Sequence, residues 1–399
     1  MIDFKLYLTE AHASSEEKLT HLEHAEDHPI NAGAAGFAHA KKTLVGVHDA
    51  MQGKKSSVSI STKYDGSPSI VFGHHPETGK FFVASKSAFN KTPKINYSEK
   101  DVEENHGHAP GLATKLKAAL KHLPKVTPKT GVFQGDIMHS GGKTKLNPHG
   151  DVTMHGGQAS YTPNTITYTT KKSGEAEQAS NAKIGVAVHT AYHGPTFDKL
   201  KAKFNTGHEG FGTHKDVHMM DVTHDAPKSK LTSDQSALFH EHMANAEEHH
   251  NALGKSGYDA IGGAHSDHLK TYINKTVKTD EVPSAEGYKA HLAEIHQKQA
   301  DKVSTPAKKT EKIGAGKELT SHVDANVEHF NHALSMHTYL QAAKNVLVHS
   351  LASHTDYGHT IGGKKVKPEG HVAVINNRPT KLVDRQEFSK LNFEKNAKR

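Results

Sequence analysis

The chain has 399 residues, a formal net charge of +7 and 34% hydrophobic content. That length accommodates one large domain or two, no run approaches the ~20 apolar residues of a membrane span, and the start, Met1–Leu8, reads as too short and too polar for a secretory signal. There is no cysteine, which excludes disulfides and thiolate metal sites and fits a cytoplasmic protein, while the basic balance suits a polyanionic partner such as nucleic acid. The 36 histidines would add further positive charge in mild acid.

In chain order, residues 11–52 read as helical, with Leu19, Leu22 and Ala25, then Phe37, Ala40, Leu44 and Val47 at helical spacing, broken at Asn31-Ala32-Gly33. Residues 56–90 read as three strands: Ser57–Thr62, Ser69–Gly73 and, after the turn Pro76-Glu77-Thr78-Gly79, Phe81–Val83. Helix returns over 98–123, with Leu112, Leu116, Leu120 and Leu123 on one stripe. Gly131–Met138, the Thr- and Tyr-rich Ser160–Thr170, and Ile184–Thr190 read as strands. From about 195 to 352 the pattern is helical, with 300–316 as a linker and Leu319, Val323, Val327, Phe330, Leu334, Tyr339 and Val346 as an apolar stripe. Strand character closes the chain at 371–376 and 381–383, and these pieces are too short to fold alone. The expected organisation is therefore an α+β core made of 1–194 and 353–399, interrupted by a helical insertion at 195–352.

Between the first two strands stands Lys63-Tyr64-Asp65-Gly66. A lysine on a tight turn, with a carboxylate two residues on, can serve as an amine nucleophile once burial, a cation or a metal-bound substrate favours its neutral form. The plain alternative is a lysine in an ordinary hairpin. K-x-D-G resembles motif I of the covalent nucleotidyltransferases, the superfamily of ATP-dependent DNA ligases, RNA ligases and capping enzymes. The resemblance implies an antiparallel-rich catalytic core and a lysyl-AMP formed at Lys63 from ATP with Mg²⁺ or Mn²⁺; GTP stays open. It also implies that Thr62, Lys63 and Gly66 line the nucleotide site and that Asp65 orients the lysine or the ribose.

Later segments resemble the family's further motifs in the same order. Phe82–Ser87 supplies Lys86 where the family usually has arginine, so a point charge replaces a bidentate fork. Gln134-Gly135-Asp136-Ile137 is similar to the family's G-E-L, with Asp136 as a metal carboxylate. Gly185–Thr190 fits the strand that carries a base-stacking aromatic, here replaced by Val188 or His189, so that His189, Phe72 or Phe133 is left to supply the ring. Pro368-Glu369-Gly370-His371-Val372 matches E-G-x-V, with Glu369 as the second metal carboxylate. Lys381 stands for the K-x-K lysine that contacts the α-phosphate, its companion missing and Arg378 or Arg385 offered instead.

With 14 residues after Arg385, the resemblance implies no C-terminal OB domain, and the helical insertion is expected to close on nucleic acid in its place. The general style is similar to proteins of T4-like bacteriophages, which implies the host cytoplasm. Polynucleotide ends or nicks are the expected acceptor of AMP. The alternatives are transfer to a protein or small molecule, and a non-catalytic phage accessory or structural protein with a degenerate ligase fold.

Other signals carry plainer readings. His21, His24 and His28, and His240, His242, His249 and His250, share helical faces that could bind Zn²⁺ or Ni²⁺, though H-E-x-x-H is absent and solvated faces are the simpler account. Residues 105–111 read as a polar helix-joining turn, and none of the paired glycines fits a P-loop. Lys91, Lys94, Lys143, Lys145, Lys364, Lys365 and Lys367 are candidate nucleic-acid contacts or solubilising charges.

Overall fold

A computed structural model describes residues 22–387 as a mixed α+β chain with antiparallel sheets. The N-terminal helical expectation for 11–21, His21 included, lies outside those residues. None of the described helices is long and apolar enough to cross a membrane. The chain divides into two compact units. One holds Ser59–Asp225 and His354–Pro379, and the other holds Glu23–Val58, Ala226–Ser353 and Thr380–Glu387.

The helical unit opens with a two-residue strand, β1 (Glu23–His24), and helix α1 (His28–Met51). The expected break is present: Ala32 and Gly33 leave helical geometry inside α1. The chain then enters the strand unit through β2 (Ser59–Lys63), β3 (Ser69–His74) and β4 (Phe81–Ala84). Helices α2 (Glu99–His106) and α3 (Pro110–His122) follow, then β5 (Val132–His139), β6 (Thr153–His155), β7 (Gln158–Tyr161) and β8 (Thr167–Thr170). After α4 (Ser173–Asn181) come β9 (Ile184–His193), β10 (Lys201–Phe204) and β11 (Val217–Met220). The strand unit resumes late with β12 (Tyr357–Ile361), β13 (Lys364–Lys365) and β14 (Gly370–Ile375).

Its main sheet runs β10-β9-β5-β3-β4, with β11 pairing β9 in parallel. Strand alternation splits the side chains into two cores. Ile70, Phe72, Phe133, Ile137, Val186 and Val188 face one way, against Ala113, Leu116 and Ala119 of α3. Val71, Phe82, Val132 and Tyr192 face the other. A second sheet, β13-β12-β8-β7-β6, buries Tyr161, Tyr168 and Tyr357. The late strand β14 pairs antiparallel with β2, Gly370 opposite Lys63. Asn376 and Asn377 both take positive φ, the two-residue turn into β15 (Arg378–Leu382).

The helical unit holds α5 (Ser233–Ile261), α6 (Ala264–Thr279), α7 (Ala285–Asp301), α8 (Pro306–Ala325) and α9 (Val327–Leu351). Several of its histidines pack as aromatic rings: buried His48 stacks on Phe239 at 4.8 Å, buried His265 on the exposed His322 at 4.9 Å, and half-buried His250 on Phe37 at 4.0 Å.

Three sequence expectations change. Glu23–Val58 and Thr380–Glu387 group with the helical unit, not with the strand core, so that unit is not the single insertion expected at 195–352. Residues 195–225 belong with the strands, because Lys201-Ala202-Lys203-Phe204 alternates polar and apolar residues and adds to the edge of β9. The supposed linker 300–316 is mostly helix: Pro306 is preset for a first turn and the Ala-Lys-Glu composition propagates it.

Candidate active site

Everything around Lys63 is described within the strand unit. Lys63 ends β2, and its Nζ donates to Glu369 Oε1. The register explains the pairing. Gly370 sits opposite Lys63, so the residue before it falls beside the lysine although 306 positions separate them. The Lys63 side chain is 27% exposed and Glu369 10%, so the pair opens to solvent from the lysine side. Burial raises the Glu369 pKa; Lys63 opposes that, and the charges of Asp65 and Asp136 add to it. Glu369 Oε2 is buried and has no hydrogen-bond partner.

The turn after Lys63 is pinned at each residue. Tyr64 is buried, edge-on to Tyr168 at 5.6 Å and to Tyr357 at 5.8 Å, and its hydroxyl donates to Asp221 O at 3.1 Å. The Asp65 N–H donates to the Tyr168 hydroxyl at 2.7 Å. The Asp65 carboxylate accepts from Asn164 Nδ2 at 2.8 Å and from the N–H groups of Thr165 at 2.7 Å and Ile166 at 3.1 Å. Asp65 therefore fixes the β7–β8 loop to the lysine turn. Gly66 has no room for a side chain: a Cβ there would stand 2.4 Å from Asp136 Cβ and 2.7 Å from Met138 Sδ.

Asp136 lies on β5 opposite Ser69 and Ala187. Next to it, β9 carries one extra residue, since Gly135 pairs with Val188 while Gln134 pairs with Thr190. The bulged residue is His189. A bulge re-aims its side chain, and His189 Nε2 comes to 3.8 Å from Asp136 Oδ2 while Nδ1 meets Thr190 Oγ1 at 2.8 Å. Burial lowers the His189 pKa; Asp136 opposes that, and the charges of Lys63 and Lys86 reinforce it. Lys86, exposed on the turn after β4, thus shares the electrostatic field of the site.

The structure accordingly brings Lys63, Asp65, Gly66, Asp136 and Glu369 together, with the charge of Lys86 within reach of His189. Val188 is not among them. It faces the apolar core with Ile70 and Ile137, and His189 is the residue of that strand on the Asp136 side. Thr62 alternates away from Lys63, opposite His371, and donates its N–H to Val222 O at 2.7 Å. Lys381 lies in the helical unit, in parallel register with His24 of β1.

The sequence reading missed Tyr168 and Lys115. Lys115 Nζ donates to Ser67 O at 2.8 Å, and burial lowers its pKa. A lysine three residues after Leu112 and four before the buried Ala119 stands on an apolar helix face, which was its signal. The grouped histidines divide: His240 is exposed, as a solvated face predicts, whereas His24 is largely buried, His28 is buried and the half-buried His249 stacks on Tyr339 at 5.6 Å. Among the described residues, the His and acidic side chains grouped tightly enough for three metal ligands are His349, Asp384 and Glu387, in the helical unit.

The profile of DUF6267, a family of unknown function, matches residues 19–398. The chain belongs to DUF6267. No curated protein and no solved structure matches it. Asp136 and Glu369, whose charges act on one another and of which Glu369 keeps one buried oxygen without a donor, offer the hard-oxygen chemistry that a divalent cation such as Mg²⁺ or Mn²⁺ would take.

Proposed function

We propose that this protein is an ATP-dependent, polynucleotide-ligase-like adenylyltransferase that acts through a covalent lysyl-AMP at Lys63. The observation that carries the reading is convergence: Lys63, Lys86, Asp136 and Glu369 come from four separate segments and share one site.

Asp136 and Glu369 would hold the cation, whose chemistry is to neutralise the triphosphate and the leaving pyrophosphate. Lys63 must give up its proton and its Glu369 bond before it attacks. Glu369 Oε1, which already accepts the Nζ hydrogen bond, is the adjacent acceptor for that proton, leaving Oε2 for the cation. The Nζ–P bond then forms at the α-phosphorus as the P–O bond to pyrophosphate breaks. Lys86 adds positive charge beside the phosphates. The pinned turn, with Tyr64, Asp65 and Gly66 each held, keeps Nζ from wandering, and orientation of this kind is a large share of phosphoryl-transfer catalysis. His189, on the bulge, offers a ring to the base in place of an aromatic.

Incubation with α-labelled ATP and Mg²⁺, followed by denaturation, tests the reading. Label should stay on the wild-type chain and vanish in Lys63→Ala and Lys63→Arg. Asp136→Asn or Glu369→Gln should slow labelling roughly a hundredfold. Absence of an adduct with both ATP and GTP, in folded protein, overturns the proposal. Passage of label to a 5′-phosphorylated nick, rather than to protein or a small molecule, identifies the acceptor.

A further inference from the structure

Beyond β5 the chain makes a finger, Ser140–Gly150, that the adenylylation chemistry does not use. Its tip is Lys145-Leu146, a two-residue turn closed by mutual backbone bonds between Thr144 and Asn147 at 3.0 and 3.1 Å. Asn147 braces the finger from inside, with Nδ2 donating to Ser140 O at 2.7 Å and Gly142 O at 3.0 Å. The base is fixed as well. The Ser140 N–H donates to Asp151 at 2.6 Å, Val152 N to Gly141 O at 2.9 Å and Gly142 N to Ser180 O at 2.9 Å. Gly141 has φ +73°, and a Cβ there would fall 1.7 Å from Ala182 O.

This braced loop presents an apolar side chain to water: Leu146 is 92% exposed. An isolated exposed leucine on a mobile loop would need no explanation. Here the backbone is cross-braced, Lys143, Lys145 and His149 are exposed around the leucine, and no aspartate or glutamate occurs from 140 to 150. An apolar side chain with a lysine on either side of it in the chain, on a stiff support, matches one partner chemistry well. Phosphates pair with the lysines, and the wedge enters between bases, where it partly unstacks a step. The finger also leaves the right strand. Ser140 is four residues beyond Asp136 on β5, about 14 Å along the strand, which is roughly four base steps of a duplex at ~3.4 Å each. Lys115, bonded to Ser67 O at the lysine turn, also feels the charge of Asp151 at the finger's base.

We propose that residues 143–149 are a nucleic-acid-binding finger, with Leu146 wedging into a base step of a duplex and Lys143 and Lys145 on its phosphates. This deepens the adenylyltransferase reading by placing the polynucleotide beside Lys63, yet the two fail separately, because lysyl-AMP formation is measured without nucleic acid.

The test uses the full chain with short DNA and RNA duplexes of one sequence, each carrying 2-aminopurine. Anisotropy gives affinity against salt, and 2-aminopurine fluorescence reports unstacking. Wild type should bind at least one duplex and raise the fluorescence. Lys143→Ala with Lys145→Ala should lower the salt slope by about 1.8, at ~0.9 per phosphate contact. Leu146→Ala should abolish the fluorescence rise and weaken binding roughly tenfold, with the salt slope unchanged. Neither variant should alter labelling at Lys63 or the circular dichroism spectrum. Binding and fluorescence that ignore Leu146, no binding to either duplex, or Leu146-dependent binding to phosphatidylserine vesicles in place of duplex would each overturn the proposal.

Discussion

Each unit contains a lysine bonded to a glutamate that has one buried, unpartnered oxygen, and the two pairs are built for opposite ends. In the helical unit Lys344 meets Glu26 at 2.7 Å with both side chains wholly buried. The neighbouring Asp27 meets His337 at 3.1 Å and Arg385 at 3.0 Å. Burial drives Glu26 upward, but the charges led by Lys344 outweigh it, and the net shift is down. In the strand unit Lys63 and Glu369 are partly open, Asp65 and Asp136 stand close by, and the net shift of Glu369 is up. The first pair is sealed in its charged form by full burial with its partner at bonding distance. The second is crowded by carboxylates beside Lys63, the charge balance that the proposed cation site would need before its ligand arrives. A salt bridge seen in isolation would not separate these roles; its neighbours do.

The largest expected effect breaks the sealed pair. Lys344→Met leaves Glu26 charged and buried without its partner, which costs about 3–5 kcal/mol. It should show as an early loss of helical circular dichroism in urea. Glu26→Leu combined with Lys344→Met should recover most of that loss, since the uncompensated charge leaves with its partner. Lys63→Met, in contrast, should shift stability by less than about 1 kcal/mol, because this partly exposed lysine can be replaced by water, yet it should abolish labelling. If both single variants proved equally destabilising, the distinction between the pairs would collapse.

How far the sequence disclosed this contrast depends on range. Lys344 and His337 stand on the same helical stripe as Phe330, Leu334 and Leu340, so a buried charge was readable there from the 3.6-residue period alone. The strands near Lys63 were readable from β-branched and aromatic runs, and Glu369-Gly370 from its motif. That Glu369 meets Lys63 Nζ required the register of two strands far apart in the chain, which no local pattern encodes. The choice of His189 over Val188 depended on a single-residue bulge that propensity does not announce. The 300–316 segment misled because its lysine, threonine and glycine content suggests a linker, while Pro306 at a first helical turn and the alanines around it favour a helix.

Acid sharpens the comparison with opposite signs. Glu369 binds its proton more tightly in the folded chain than in the unfolded one, so its ionisation costs stability as pH rises above the ordinary carboxylate value of 4.5. Glu369→Gln should therefore be more stable than wild type at neutral pH, with the difference fading in acid. Asp384 behaves the other way. Burial works upward on it, but the His349 hydrogen bond at 2.8 Å, the Glu387 N–H and nearby cations take it down to about 2. Its contribution is full above its ordinary value of 3.8 and is lost as pH falls toward 2. Asp384→Asn should accordingly be less stable than wild type at neutral pH and converge with it in acid. Urea midpoints between pH 2 and 7 in each variant would read both slopes.

The smallest effect concerns how Asp65 acts. Its oxygens are taken by Asn164, Thr165 and Ile166, so it works by holding the loop against the lysine turn and is a positioning residue. Asp65→Asn exchanges one acceptor for a donor facing backbone N–H groups, a cost of about 1–3 kcal/mol, and should slow labelling roughly tenfold. Asn164→Ala removes only one of the three bonds and leaves the carboxylate in place. It should cost about 1 kcal/mol and slow labelling slightly, with the KM for ATP unchanged. If Asp65 instead bound the ribose directly, Asn164→Ala would leave the labelling rate alone and Asp65→Asn would raise KM. The two variants, compared by KM against maximal rate, separate a strut of the nucleophile's turn from a ligand of the nucleotide.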